Sequence, residues 1–254
     1  MNPYIKKKII KIQGTSSREI EDYIAVEKRL RISVNGKEVI SLYCTPIMIK
    51  ELVIGLLLTE VKGFSMNKIP LEEMRIVYGE EIKVDIHVAE GILTEKVVAS
   101  RCPGGITFNK KRNFGKIKDN FSITIAAIKK LFEEFLRKTE FFQLTGCFHS
   151  AALSDGKRIL AFAEDIGRHN AVDKVIGYSV IKDIHFTGKL MLVSCRLSSE
   201  ITSKCSRWGI PIIASRAAPT DLAIEIAEMS GMTLIGFVRE DRLNVYTNPQ
   251  RILL

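Results

Sequence analysis

Glu164, Asp165, Arg168, His169, Asn170, Asp173 and Lys174 all fall within the twelve residues from Ala163 to Lys174. Together they can donate and accept hydrogen bonds, hold an anion and move a proton. An apolar run that reads as a strand, Ile159 to Phe162, precedes them. A helical pattern of Ala171, Val172, Val175 and Ile176 follows. Open α/β sheets place their ligands where a strand end feeds a helix start. A turn alone would need a Gly or Asn and one helix cap, so the segment reads as a site.

Four other segments carry chemistry. Arg101-Cys102-Pro103-Gly104-Gly105 puts a thiol beside a guanidinium, and positive charge favours the thiolate. The flanking glycines would let Cys102 swing between a donor and an acceptor. Cys147 and His149 stand two apart, ahead of what reads as a short helix. No second pair of ligands follows at zinc-like spacing, so no metal is expected, and His149 reads as a ligand-contacting or proton-handling residue. Ser194-Cys195-Arg196 and Ala214-Ser215-Arg216 each end a strand, with Ser198 and Thr220 at the helix starts beyond them. Helix N-termini favour anions, and Arg196 would complement a phosphate. The two strand ends suggest a nucleotide or polyphosphate site, although capping explains the hydroxyl residues equally well. Cys195 and Cys205 read as small buried hydrophobes. Phe237 to Arg242, taken alone, reads as a charged turn.

Two kinds of chain position these residues. Residues 1–110 read as a β-rich N-terminal domain ending in a mobile cysteine loop, 99–120. Its strands are expected at Ile5 to Ile12, Tyr23 to Val34, Lys37 to Tyr43, Met74 to Tyr78 and Ile82 to Val88. Asn35-Gly36 signals a hairpin. Thr45-Pro46 is expected to open a helix, with the hydroxyl as cap, whose core face carries Ile49, Leu52, Val53, Leu56 and Leu57. Residues 121–254 alternate helix and strand: a helix at Ile123 to Arg137, strands at Ile159 to Ala163, Leu190 to Ser194, Pro211 to Ala214 and Thr233 to Val238, and helices at 169–182, 198–208 and 220–230. That period implies a mainly parallel sheet covered on both faces, with Leu243 to Tyr246 as an antiparallel edge.

The composition agrees with a globular chain. Of 254 residues, 46% are hydrophobic and 26% charged, a length that gives one to two domains. Thirty-eight Lys plus Arg against 29 Asp plus Glu leave a net charge of +9, which suits solubility or an anionic partner. Lys6-Lys7-Lys8 and Lys110-Lys111-Arg112 are short basic clusters, but without aromatic interleaving or regular Arg spacing no nucleic acid is expected. The N-terminus lacks a signal-peptide apolar region. The longest apolar stretch, Leu52 to Leu58, is far below the ~18 residues of a membrane span. A cytoplasmic chain with no membrane contact is expected. Five cysteines without close pairs argue against a disulfide framework, and C-x-x-C is absent.

These segments together resemble the formate dehydrogenase accessory protein family, FdhD (also called NarQ-type). The resemblance rests on Asn35-Gly36, Glu51-Leu52-Val53-Ile54-Gly55-Leu56-Leu57, the cysteine loop, Thr145-Gly146 with His149, Glu164 to Lys174, Ser198-Ser199-Glu200, Ala218-Pro219-Thr220 and the Tyr246 tail, in order. It implies a cytidine-deaminase-like three-layer α/β/α C-terminal domain with a smaller β-rich N-terminal domain, and a homodimer. It implies a sulfurtransferase: Cys102 takes persulfide sulfur from a cysteine desulfurase and passes it to molybdenum bis(molybdopterin guanine dinucleotide), for formate dehydrogenase. The cofactor is bound as a substrate, with GDP as a mimic. Arg168, Arg196 and the strand-end Ser194 and Ser215 would meet phosphates, and Asp165 or Asp173 a guanine edge. His149, His169, Asn170, Lys174 and Thr220 complete the site. The family's cofactor-contacting C-terminal segment matches Phe237, Val238, Arg239, Glu240, Asp241 and Arg242, replacing the plain-turn reading. Gly105 stands where many members have a second loop cysteine, and Cys195 where Gly is common. The alternative is a chaperone that holds the cofactor and the apo-dehydrogenase without moving sulfur. A zinc deaminase would need His-x-Glu and Pro-Cys-x-x-Cys, which this sequence lacks in working form.

Overall fold

The structure, a computed structural model, describes residues 1–60, 74–88 and 115–254. Cys102 and Lys110 to Arg112 lie outside the described residues. Strands β1 (Tyr4–Gln13) and β2 (Ser16–Ala25) form a two-stranded ribbon. β3 (Lys28–Val34), β4 (Lys37–Cys44), β5 (Arg75–Tyr78) and β6 (Ile82–Ile86) form a sheet of order β4-β3-β6-β5. Alternation turns Leu30, Ile32 and Val34 inward onto helix α1 (Ile49–Glu60). Arg29 and Arg31 face out and pair with Glu38 and Glu81. Asn35 and Gly36 take the positive φ values, 50° and 73°, that their hairpin turn demands.

Two expectations fail here. The run Tyr23 to Val34 is not one strand: it breaks at Val26 and Glu27, where the Val26 N–H bonds Pro3 O and closes the ribbon. Thr45-Pro46 does not start the helix. α1 begins at Ile49, after Met48 at φ 52°, and the Thr45 hydroxyl accepts from the Ile166 N–H at 3.1 Å. A long-range donor has taken the hydroxyl that local sequence offered as a cap.

The second half begins with β7 (Ile123–Thr124), α2 (Ile125–Arg137) and α3 (Glu140–Thr145). It continues through β8 (His149–Ser154), β9 (Ile159–Asp165), α4 (Arg168–Ile181), β10 (Leu190–Val193) and α5 (Ser199–Arg207). It ends with β11 (Ile212–Ser215), α6 (Asp221–Ser230), β12 (Thr233–Gly236), β13 (Asn244–Thr247) and β14 (Ile252–Leu253). Six strands make one sheet of order β13-β12-β11-β10-β8-β9. α2 covers one face, and α4, α5 and α6 the other. This is the three-layer α/β/α domain the resemblance implied. The sheet is mixed rather than mainly parallel, because β8 runs antiparallel to both neighbours and β13 antiparallel to β12. β8 was expected as a short helix. Its small residues, His-Ser-Ala-Ala-Leu-Ser, show no clear period, and pairing on both edges decides the matter.

The halves meet along α1 and α4. A Cβ on Gly177 would lie 1.9 Å from Glu51 O, and one on Gly55 would lie 1.9 Å from Asp173 O. Only hydrogen at both positions lets the two backbones touch. Gly177→Ala should therefore cost ~3 kcal/mol through overpacking. Its thermal midpoint should fall about 10 °C. Gly79→Ala, whose Cβ would find its nearest neighbour at 3.6 Å, should stay within about 0.5 kcal/mol of the parent. Calorimetry of both variants checks this.

Candidate functional site

The carboxyl ends of β9, β10, β11 and β12 point the same way, and β8 begins at that end because it is antiparallel. α4, α5 and α6 each start there. Ser198 caps α5, its Oγ accepting from the Ile201 N–H at 3.5 Å. Thr220 caps α6 through the Ala223 N–H at 3.3 Å. α4 starts at Gly167 without a side-chain cap. Three helix N-termini thus bring partial positive charge to one sheet end. Arg168 and Arg216 are half-buried there and Arg196 is exposed, adding full charges at the same loops.

Backbone bonds knit these loops into one surface. The Leu197 N–H donates to Ala218 O and the Thr220 N–H to Leu197 O, both at 3.0 Å. Phe237 and Val238 N–H groups donate to Ala217 O and Ser215 O, which brings Phe237 to Arg242 alongside. In that segment Val238 is buried, Phe237 and Arg239 are half-buried, and Glu240, Asp241 and Arg242 are exposed. The hydroxyls meanwhile work inward. Ser215 is buried, donates to Cys195 O at 2.6 Å and accepts from the Ala217 N–H. Ser194 Oγ accepts from the Ser150 N–H at 2.9 Å, extending the pairing of β8 with β10.

The Ala163–Lys174 motif divides between interior and surface. Asp165 and Lys174 are wholly buried, with Nζ 2.6 Å from Oδ2. Asp165 also accepts from the N–H groups of Thr45 and Gly167 and from Asn170 Nδ2. Lys174 donates to Thr45 O and Glu164 O, and Asn170 to Tyr43 O. These residues bind the end of β4 to the start of α4. Asp173, equally buried, holds Lys204 at 2.6 Å and accepts from Thr59 Oγ1, and Lys204 reaches Glu60 at 2.8 Å. Burial pulls the Lys204 ammonium down, but Asp173 and Glu60 outweigh it and hold it above its ordinary range. Glu164 accepts from the Phe141 and Phe142 N–H groups at 3.0 Å and so caps α3. Burial raises its carboxyl despite those donors. Asp165, Asp173 and Lys174 are therefore buried and bonded within the protein, away from the surface where a ligand would lie.

Arg168 and His169 are the motif's outward members. His169 Nε2 lies 2.8 Å from Glu200 Oε2, joining the first turns of α4 and α5. Sequence reasoning gave Glu200 no role; its place on the first turn of a helix beside Ser198 was the available signal. His149 pairs with Asp165 across β8 and β9. Its imidazole is held below the ordinary value by burial first, then by Arg168 and His169, against Asp165. Cys195 is buried beside this surface, and burial pushes its thiol up to about 11. Among the described cysteines Cys147 alone is exposed.

Residues 25–253 match the FdhD/NarQ family. The chain belongs to that family. A sulfur carrier protein FdhD from Bacillus pumilus is 34% identical over 269 residues, covering 99% of both chains. Its counterpart from Bacillus subtilis is 36% identical over 251 residues, covering 94% of both. A crystal structure assigned as a formate dehydrogenase accessory protein from Desulfotalea psychrophila superposes with a TM-score of 0.79 at 27% identity, covering 99% of this chain and 100% of that one. The FdhD/NarQ assignment thus spans both halves and the seam between them. Among the described residues, no helix is long and apolar enough to cross a membrane.

Two outcomes follow from the site's electrostatics. Lys174→Met strands a buried carboxylate and should cost about 3–5 kcal/mol in urea unfolding, with Asp165→Asn/Lys174→Met recovering part of the loss. His149 prefers its neutral form in the fold. Its contribution is complete above the unfolded value of 6.5 and is lost as pH falls below it. Proton NMR of the His149 ring should give a midpoint under 6.5 that rises when an anionic ligand binds.

Proposed function

We propose that this chain is a sulfur carrier in formate dehydrogenase maturation. Cys102 takes sulfur from a cysteine desulfurase, and the carboxyl end of the six-stranded sheet holds the acceptor, molybdenum bis(molybdopterin guanine dinucleotide), as substrate. The observation that carries this reading is the convergence of three helix N-termini with Arg168, Arg196 and the Phe237–Arg242 segment on one surface. A ligand with two pyrophosphates suits a surface whose backbone dipoles and guanidinium groups share one sign. His149, kept neutral, is left to exchange a hydrogen bond with the ligand. The names of the relatives, sulfur carrier and formate dehydrogenase accessory protein, support the reading.

Loading is a thiol exchange. The Cys102 thiolate attacks the outer sulfur of the donor persulfide; a new S–S bond forms, the old one breaks, and the donor cysteine leaves as thiolate. In onward transfer that S–S bond would break, Cys102 would leave as thiolate, and the outer sulfur would pass on as a formally neutral atom, becoming a sulfido ligand with two electrons from the acceptor. The alternative, a chaperone that does not move sulfur, is favoured by Gly105, which removes a second loop thiol.

Intact-mass spectrometry after incubation with an active desulfurase and cysteine tests the first step. The parent should gain sulfur and Cys102→Ala should not. No gain in the parent sinks the carrier reading and leaves the chaperone. Arg168→Ala should weaken GDP binding by calorimetry on the order of tenfold or more, the worth of one hydrogen bond to a charged group. It should leave sulfur loading intact.

A further inference from the structure

A cavity lies at the opposite end of the six-stranded sheet from the candidate site. Thr187 precedes β10, and Trp208 and Gly209 precede β11, so these loops sit at the amino ends of two parallel strands. With Gly115 to Asp119, Ser206 and Arg207 they line a cavity of about 590 Å³. That volume falls in the range of small-molecule sites.

Its walls are held by the fold. Ile117 packs against the core beneath α4, α5 and α6, and its N–H donates to Ser230 O at 2.8 Å. Asp119 uses both carboxylate oxygens on backbone: Oδ1 accepts from the Phe121 N–H at 2.8 Å and Oδ2 from the Gly188 N–H at 2.7 Å. Arg207 donates to Thr59 O at the end of α1. α5 closes with Gly209 at φ 66°, and the Gly209 and Ile210 N–H groups bond Ser206 O and Cys205 O. Two of the last helix carbonyls are thereby taken.

Two donors in the lining are left over. Ser206 is 6% exposed, and its Oγ has no hydrogen-bond partner among the described residues. The indole Nε1 of Trp208 is likewise buried and unpartnered among them, with its ring 4.9 Å from that of Phe186. Buried polar atoms are ordinarily paired, and an indole N–H can only donate. The surrounding charge has mainly one sign: Lys116, Lys118 and Arg207 against Asp119. Lys116 and Lys118 flank Ile117 and are both exposed.

We propose that this cavity binds a small oxyanion ligand, one that carries phosphate or carboxylate groups. Its oxygens accept from Ser206 Oγ and Trp208 Nε1 and lie beside the Lys116 and Lys118 ammonium groups. A cation would meet like charges there, and an apolar molecule would leave both donors unmet.

Trp208 is the only tryptophan in the chain, so a single indole N–H resonance reports this cavity. Heteronuclear NMR of the full chain, titrated with inorganic pyrophosphate and separately with citrate, is the test. At least one anion should move the resonance downfield to saturation, and which one does so tells phosphate from carboxylate. Lys116→Ala/Lys118→Ala should weaken that binding about tenfold. Ser206→Ala should weaken it as well. Sodium chloride at matched ionic strength should not reproduce the shift, and Arg168→Ala, at the other end of the sheet, should leave it unchanged. A resonance that neither anion moves overturns the proposal. So does a shift that chloride reproduces, one that keeps the parent affinity in either cavity variant, or one that Arg168→Ala abolishes.

Discussion

The ion pair between Asp165 and Lys174 is the constraint on which the two halves depend. Two charges removed from water cost more than their attraction returns unless every remaining lone pair and proton is used. Here the demand is met from both halves: Thr45 comes from the β-rich part, and Gly167, Asn170 and Glu164 O from the α/β part, with Asn170 itself held by Tyr43 O. No partner can be withdrawn without stranding a charge. The pair therefore makes the position of β4 relative to α4 a requirement of folding. The glycine contact between α1 and α4 is its steric counterpart. Gly55 and Gly177 bring the helices close enough for Thr59 and Glu60, at the end of α1, to reach Asp173 and Lys204.

That internal anchoring shapes the surface. Asp165 binds the Gly167 N–H and Asn170, so it fixes the turn from which α4 departs. Arg168 and His169 are the next two residues and inherit their direction from a buried carboxylate they do not touch. The sheet contributes in the same way. Because β8 is antiparallel, His149 arrives at the end where the parallel strands finish, and an imidazole joins three helix N-termini there. Burial first, and then Arg168 and His169 at that end, hold the His149 imidazole below its ordinary value.

Much of this was legible in the chain, and the rest failed for physical reasons. Long periodic elements such as α2, and strands bounded by turn residues such as β11, follow from patterns within one element. Thr45 was misread because its hydroxyl serves Ile166, 121 residues away in sequence, and no local rule sees such a partner. β8 was misread because short runs of small residues carry no period, and both its edges are paired by strands that come later. That the polar cluster Ala163–Lys174 joins a strand end to a helix start was readable from its flanking periods. Its division of labour was not, since Asp165, Arg168 and Lys174 look alike as text and differ only in burial.

Polar density in a sequence is therefore an ambiguous sign. A ligand-facing cluster and a buried ion network require the same residue types, because both must match donors to acceptors at close range. Helical spacing separates them only in part. Lys174 lies on the apolar side with Ala171 and Val175, and Asp173 beside Val172 and Ile176, yet both carry charge. A charged residue on the apolar face of a helix can fold only with its counter-charge already in the core. Such a position points inward, whereas Arg168 and His169, on the first turn and free of the apolar stripe, can point out. Within the motif those two are the polar side chains left partly exposed, and the strength of the motif as a pattern comes largely from the residues that hold them in place.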